Sequence, residues 1–124
     1  GYEYEDMGAF EYNKDDDYPD FAEAAARKVA SAPGSKGIFI CGSGIGMAVV
    51  ANKYKGIVAG TMMSPEQTKA SISDENTNII GLSADYSGEE NNKQIIKTFL
   101  ETEFSGAERH VRRVGKIKKI EESQ

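Results

Sequence analysis

A short apolar segment that runs directly into a glycine-rich turn most constrains how this chain can fold. Residues 37–40 are Gly-Ile-Phe-Ile, a pattern that predicts a buried strand. The strand ends at Cys41, glycine alternates with other residues over 42–46, and the segment 47–53 predicts a helix. A cysteine, a flexible turn and a helix amino terminus at the end of one strand suit the binding of a small anion.

Strands and helices alternate along the rest of the chain. Strands are predicted at 2–7, 37–41, 56–60 and 77–82, and helices at 19–31, 47–53, after Ser64, after Ser87 and over 107–122. Ser64 and Ser87 are each followed three residues later by Gln or Glu, as in a capping box. The alternation predicts an α/β fold with an open parallel sheet in a three-layer αβα, Rossmann-like or flavodoxin-like arrangement.

Length and composition predict one soluble domain spanning residues 1–124. Hydrophobic residues make up 39% of the chain, and no apolar run approaches the roughly 18–20 residues of a membrane helix. No charged-then-apolar leader is present, so we expect a cytoplasmic protein with no membrane partner. The single cysteine cannot form an internal disulfide, and one cysteine with one histidine is a poor set of metal ligands.

The net charge of −5 conceals a basic segment near the end of the chain. Six bases and no acid lie between Arg109 and Lys119. A nucleic-acid-binding tail would be basic too, but this chain is acidic overall and the segment lacks interleaved aromatic residues. A phosphate site or a solvated helix face is therefore favoured, and no nucleic-acid partner is expected.

The glycine turn does not match the common nucleotide-binding motifs. Its spacing is G-x-G-x-G, and Met47 stands where a dinucleotide-binding turn needs its third glycine. No Gly-Lys-Ser/Thr follows, which excludes a P-loop. From the residues alone, the turn could be only a tight connection and Cys41 only a small core residue.

The string itself resembles a known family. Cys-Gly-Ser-Gly-Ile-Gly-Met at 41–47, with the residues at 51–57, is similar to the type B ribose-5-phosphate isomerases, whose superfamily includes galactose-6-phosphate isomerase. Segments 17–22, 76–78 and 99–114 resemble the same family in the same order.

The resemblance implies aldose–ketose isomerisation of a phosphorylated sugar through a cis-enediolate, without metal or cofactor. Cys41 matches the base that moves a proton between C2 and C1, and Ser43 matches a hydroxyl that assists proton movement between oxygens. Neighbouring backbone would form an anion hole and bind substrate, at Gly42, Gly44, Ile45, Gly46 and, further along the chain, Asn76.

The basic segment matches the family's phosphate-binding helix. Arg109 and Arg113 lie four residues apart, so both guanidinium groups can reach one phosphate. Without the family match, a pair of solvated surface arginines would be the default interpretation. In the family the C-terminal helix, here 107–122, packs on a second subunit, which implies a homodimer and permits a dimer of dimers. An apolar stripe suits that role: Val111, Val114, Ile117 and Ile120.

Two departures from the family stand out. Asp74 occupies the place of the family's ring-opening histidine and either acts as an acid–base group or caps a turn. His110, the only histidine, follows Arg109 but points elsewhere on the helix, so we set it outside the site. The sequence also lacks a counterpart of the family's first strand and helix; in the order 2-1-3-4-5 that strand would lie between 2–7 and 37–41.

The predicted function is therefore interconversion of ribose 5-phosphate and ribulose 5-phosphate in carbohydrate metabolism, by proton transfer at Cys41. An isomerase acting on galactose 6-phosphate or on a four-carbon sugar phosphate is an alternative. A non-catalytic module that binds sugar phosphates and dimerises is another.

Overall fold

The computed structural model describes all 124 residues. Its elements alternate as predicted: α1 (Tyr18–Ser31), β1 (Gly37–Cys41), α2 (Gly46–Ala51), β2 (Ala59–Thr61), α3 (Pro65–Glu75), β3 (Ile79–Ser83), α4 (Glu89–Glu101) and α5 (Glu108–Glu122). None of these helices combines the length and the apolar character needed to cross a membrane.

The three strands form one parallel sheet in the order β1-β3-β2. Ile79 of β3 pairs with Gly37 of β1 on one side and with Ala59 of β2 on the other. The order 2-1-3-4-5 would place the predicted strands 37–41, 56–60 and 77–82 side by side in chain order, and this expectation is wrong. β3 is the only strand whose five residues are all buried, and a parallel strand of that kind needs neighbours on both sides.

Helices cover both faces of the sheet, which confirms the three-layer αβα arrangement. Ile79 and Ile80 point to opposite faces because side chains alternate along a strand. The first core includes α1 and α2, and the second includes α3 and α4. The first consists of Ala22, Ala26, Phe39, Ala51, Ile57 and Ile79; the second consists of Met62, Ile72, Ile80, Leu82, Ile95 and Phe99.

Two predicted strands differ from the structure. Residues 2–7 form no strand, and Tyr4 is 91% exposed, so the alternation of Tyr and acidic residues there covers no core. β2 begins at Ala59 rather than at residue 56. The Asn78 side chain accounts for the later start of β2. Its amide N–H donates to the Gly56 carbonyl at 2.8 Å and its amide oxygen accepts from the Val58 N–H at 2.9 Å, so these main-chain groups are bonded to a side chain rather than to a strand.

Of the two predicted capping boxes, the cap at Ser64 is present, and the Gln67 side chain bonds to Met63, one residue before the cap, rather than to the Ser64 N–H. The Gln67 N–H donates to the Ser64 hydroxyl at 3.1 Å, and the Gln67 side chain accepts from the Met63 N–H at 2.7 Å. The cap at Ser87 is wrong: α4 begins one residue later, with Gly88 at the cap position and no side-chain cap. The Ser87 hydroxyl accepts from the Asn91 amide at 3.0 Å instead.

Candidate active site

Cys41 lies at the carboxyl edge of the sheet, where all three parallel strands end. Its register partner is Ser83, the last residue of the central strand, and its carbonyl accepts from the Ala84 N–H at 2.9 Å. Cys41 is partly buried and forms no disulfide. The thiol therefore lies beside the turn at the position where ligands bind in open α/β sheets.

The glycine turn folds back over the central strand β3 and the end of β2. Gly44 has a φ of +78°, and a Cβ there would lie 2.9 Å from the main-chain atoms of Leu82 and Ser83. The Gly44 carbonyl packs on Gly81 and accepts from the Thr61 hydroxyl at 2.6 Å. Gly44 is thus required by both its backbone conformation and its close approach to β3.

Replacing Gly44 with alanine is expected to lower the free energy of unfolding by more than the roughly 1–2 kcal/mol that a left-handed backbone alone costs an L-residue. The added methyl group would also collide with the β3 main chain. Gly34→Ala is the matched control, because Gly34 has a φ of +85° but open space around its Cα. Chemical denaturation measures both; equal losses would contradict the proposed collision.

The other two glycines of the turn make room for side chains that sequence analysis missed. A Cβ on Gly42 would lie 2.8 Å from Asp85 Oδ2, and a Cβ on Gly46 would lie 2.7 Å from the Tyr18 ring. The Ser83 hydroxyl also donates to the Gly42 carbonyl at 2.7 Å. Asp85 and Ser83 could have been found from their position at the end of β3. Tyr18 lies in segment 17–22, which resembles the family, but no pattern there marks its ring as a neighbour of the turn.

Part of the predicted anion hole is occupied within the turn itself. The Ser43 hydroxyl accepts from the Ile45 N–H at 3.2 Å. The helix that follows, α2, ends at Ala51 and is shorter than the predicted 47–53. The Asn52 side chain donates to the Ala59 carbonyl and accepts from the Ala59 N–H, each at 2.8 Å. A six-residue helix contributes little dipole, so binding of an anion here would depend on the main-chain N–H groups of the turn.

The remaining predicted site residues lie at the amino edge of the sheet. Asp74 is in the last turn of α3, and Asn76 follows as its left-handed C-cap, with φ 56° and its N–H bonded to the Ile72 carbonyl at 3.1 Å. Both precede β3, whose five residues span about 13 Å at about 3.3 Å per residue. Asp74 and Cys41 are therefore at opposite ends of the sheet.

Helix α5 crosses the same amino edge. Just before its start the Ser105 N–H donates to the Ser73 carbonyl at 3.1 Å, and near its end Glu121 accepts from the Gly56 N–H at 3.2 Å. Arg109 and Arg113 are exposed on this helix and make no ion pair. With Asp74 and Asn76 they lie at the amino edge of the sheet; these four residues are called the amino-edge cluster, and residues 41–46 are called the carboxyl-edge cluster.

His110 is the one buried residue of α5. Its Nδ1 lies 2.7 Å from the Ser105 hydroxyl, and its Nε2 lies 3.4 Å from Asp74 Oδ1. The sequence predicts that His110 lies outside the site, because it does not share a helix face with Arg109. The structure places it against Asp74, a contact between two helices that no local pattern marks.

A cavity at the amino edge brings a further cation near Asn76. Lys36 and Asn76 both line this cavity, whose volume is about 500 Å³. The Lys36 ammonium donates to the Phe99 carbonyl at 2.8 Å, and burial lowers the pKa of Lys36. Lys36 thus stabilises the carboxyl end of α4. No three His, Cys, Asp or Glu side chains come together as possible ligands of one metal ion.

Comparisons with known proteins agree with this architecture. The family model described as Ribose/Galactose Isomerase matches residues 1–117. A protein of Mycoplasma pneumoniae named probable ribose-5-phosphate isomerase B is 38% identical over 112 residues, which cover 90% of this chain and 73% of that protein.

Two solved structures share the fold. Ribose-5-phosphate isomerase B from Mycoplasma genitalium, with bound ribulose-5-phosphate, has a TM-score of 0.90 and 35% identity, covering 95% of this chain and 78% of that one. The Clostridium thermocellum ribose-5-phosphate isomerase B has a TM-score of 0.92 and 38% identity, covering 98% and 81%. Sequence and architecture agree over nearly the whole chain, and the protein is a member of the ribose/galactose isomerase family.

Proposed function

We propose that this protein interconverts ribose 5-phosphate and ribulose 5-phosphate. The observation that carries the proposal is the position of Cys41 at the carboxyl edge, beside a glycine turn held against β2 and β3. The Mycoplasma genitalium relative, described as binding ribulose-5-phosphate, shares this architecture over 95% of the present chain.

In the proposed reaction the Cys41 thiolate removes the proton from C2 of the open-chain aldose. The electron pair forms the C1–C2 double bond of a cis-enediolate, and backbone N–H groups of the turn stabilise the negative oxygen. Ser43, exposed at the tip of the turn, assists proton movement between the two oxygens. Cys41 then returns the proton to C1, which yields the ketose with no net change in protons.

A second copy of the chain completes the proposed site. Arg109 and Arg113 would bind the phosphate, yet they lie at the edge of the sheet opposite Cys41, so one copy cannot bring all three groups to one five-carbon substrate. Helix α5 supports assembly, because Val111, Ile117 and Ile120 are 53%, 46% and 63% exposed. We therefore propose a homodimer in which the amino-edge cluster of one copy faces the carboxyl-edge cluster of the other.

Asp74 belongs to the proposed site as the group that opens the sugar ring. Its side chain is 45% exposed, so the carboxylate can contact a ligand held by the neighbouring arginines. Asn76, which follows on the same side of the sheet, is exposed and available for a sugar hydroxyl.

The test is NMR of ribose 5-phosphate incubated with the protein in deuterated water. We expect ribulose 5-phosphate to form with deuterium incorporated at C1, the carbon to which Cys41 returns the proton. Galactose 6-phosphate and erythrose 4-phosphate are the comparison substrates, and faster turnover of either would reassign the substrate. Binding of all three without turnover or deuterium incorporation would contradict the proposal and indicate a non-catalytic sugar-phosphate module.

A further inference from the structure

The buried His110 ring connects the start of α5 to the end of α3. One ring nitrogen lies 2.7 Å from the Ser105 hydroxyl and the other 3.4 Å from the Asp74 carboxylate. The His110 side chain is 8% exposed, whereas that of Asp74 is 45% exposed. A ligand can therefore reach the carboxylate but not the imidazole.

The two neighbours of this ring assign its tautomer. The Asp74 carboxylate offers only acceptors, so the ring nitrogen that faces it, Nε2, carries the proton of the neutral ring, and Nδ1 accepts from the Ser105 hydroxyl. A ring that accepts at Nδ1 carries its proton on Nε2 when neutral. That N–H faces Asp74 Oδ1 and leaves the other carboxylate oxygen, Oδ2, for a further partner.

We infer that His110 is a positioning residue that holds the Asp74 carboxylate for opening of the sugar ring. This inference rests on the proposed function. A buried imidazole N–H held 3.4 Å from one oxygen of a carboxylate restricts the rotation of that carboxylate and leaves its other oxygen free. Because Ser105 holds the ring and the protein interior surrounds it, the direction of the Asp74 carboxylate is set before substrate binds.

The step that this carboxylate performs is balanced within the substrate. Asp74 takes the proton of the anomeric hydroxyl, the C1–O4 bond breaks with its electron pair going to O4, and Asp74 returns the proton to O4. The aldehyde that forms is the open-chain species on which Cys41 acts. His110 keeps its contact with Asp74 Oδ1 throughout and takes no part in this proton transfer.

The test separates ring opening from the later proton transfer by following turnover of ribose 5-phosphate while enzyme concentration is raised. For the wild type, the rate should rise linearly. For His110→Gln, the rate at low enzyme should fall by about 10²-fold because the carboxylate is no longer held in place. At high enzyme it should reach a plateau equal to spontaneous ring opening, because open-chain sugar then becomes limiting. Ser105→Ala, at an exposed position, should show the same plateau without disturbing the core.

Each outcome decides a different point. A wild type without turnover would refute the proposed function and, with it, this inference. A variant whose rate stays linear and passes the spontaneous opening rate would overturn the inference alone, because its defect would not lie in ring opening. Lys118→Gln, an exposed position on the same helix, is the control and should behave as wild type.

Discussion

Replacing Cys41 with alanine is expected to lower kcat for ribose 5-phosphate by about 10²–10⁴-fold, the usual contribution of a positioned general base. The turn itself offers no second base, because residues 42–46 carry only glycine, serine and isoleucine. KM should change little, since the phosphate and the sugar hydroxyls keep their partners. Steady-state kinetics and deuterium incorporation at C1 of ribulose 5-phosphate measure the loss.

The fold should survive this change. Cys41 is only partly buried at the end of an edge strand, and alanine keeps the main-chain bond from Ala84. The thermal unfolding midpoint should stay close to that of the wild type, which would show that the lost rate is chemical. Retention of more than about a tenth of kcat would contradict the assignment of Cys41 as the base, given the expected range.

Mixing two inactive variants is expected to restore activity if the site is shared between copies. One variant carries Cys41→Ala, and the other carries Arg109→Ala with Arg113→Ala. Each arginine makes a charge-assisted contact of about 1.5–3 kcal/mol, so the double variant alone should lose most of its kcat/KM. In a mixed dimer, one site combines the altered Cys41 of one copy with the altered arginines of the other. The second site combines the unaltered Cys41 with the unaltered arginines and is intact.

Random reassociation makes half of the dimers mixed, so about one quarter of wild-type activity should return. The matched control mixes the double arginine variant with Asp74→Asn. Both carry their defects in the amino-edge cluster, so every mixed site remains defective and no activity should return. If the first mixture also stays inactive, each copy must contain its own complete site and the proposed dimer geometry is wrong.

The elements near Cys41 were predictable because their signals are local. The apolar run of β1 and the glycines after it lie within ten residues. The capping box at Ser64 is equally local, and its hydrogen bond is present. Where such a signal failed, at residues 2–7 and Ser87, the pattern required a partner or a helix start that the fold does not supply.

The sequence by itself determined the alternation of strands and helices, the family and the turn that follows Cys41, because each depends on residues close together in the chain. Only the tertiary structure decided that β3 lies between β1 and β2, that Asp85 and Tyr18 border the turn, and that His110 contacts Asp74. It also separated the predicted site into clusters at opposite edges of the sheet. These facts depend on the packing of segments that are distant in the chain. Local patterns do not distinguish the possible strand orders or helix contacts, whereas burial of the central strand β3 and of the His110 imidazole does.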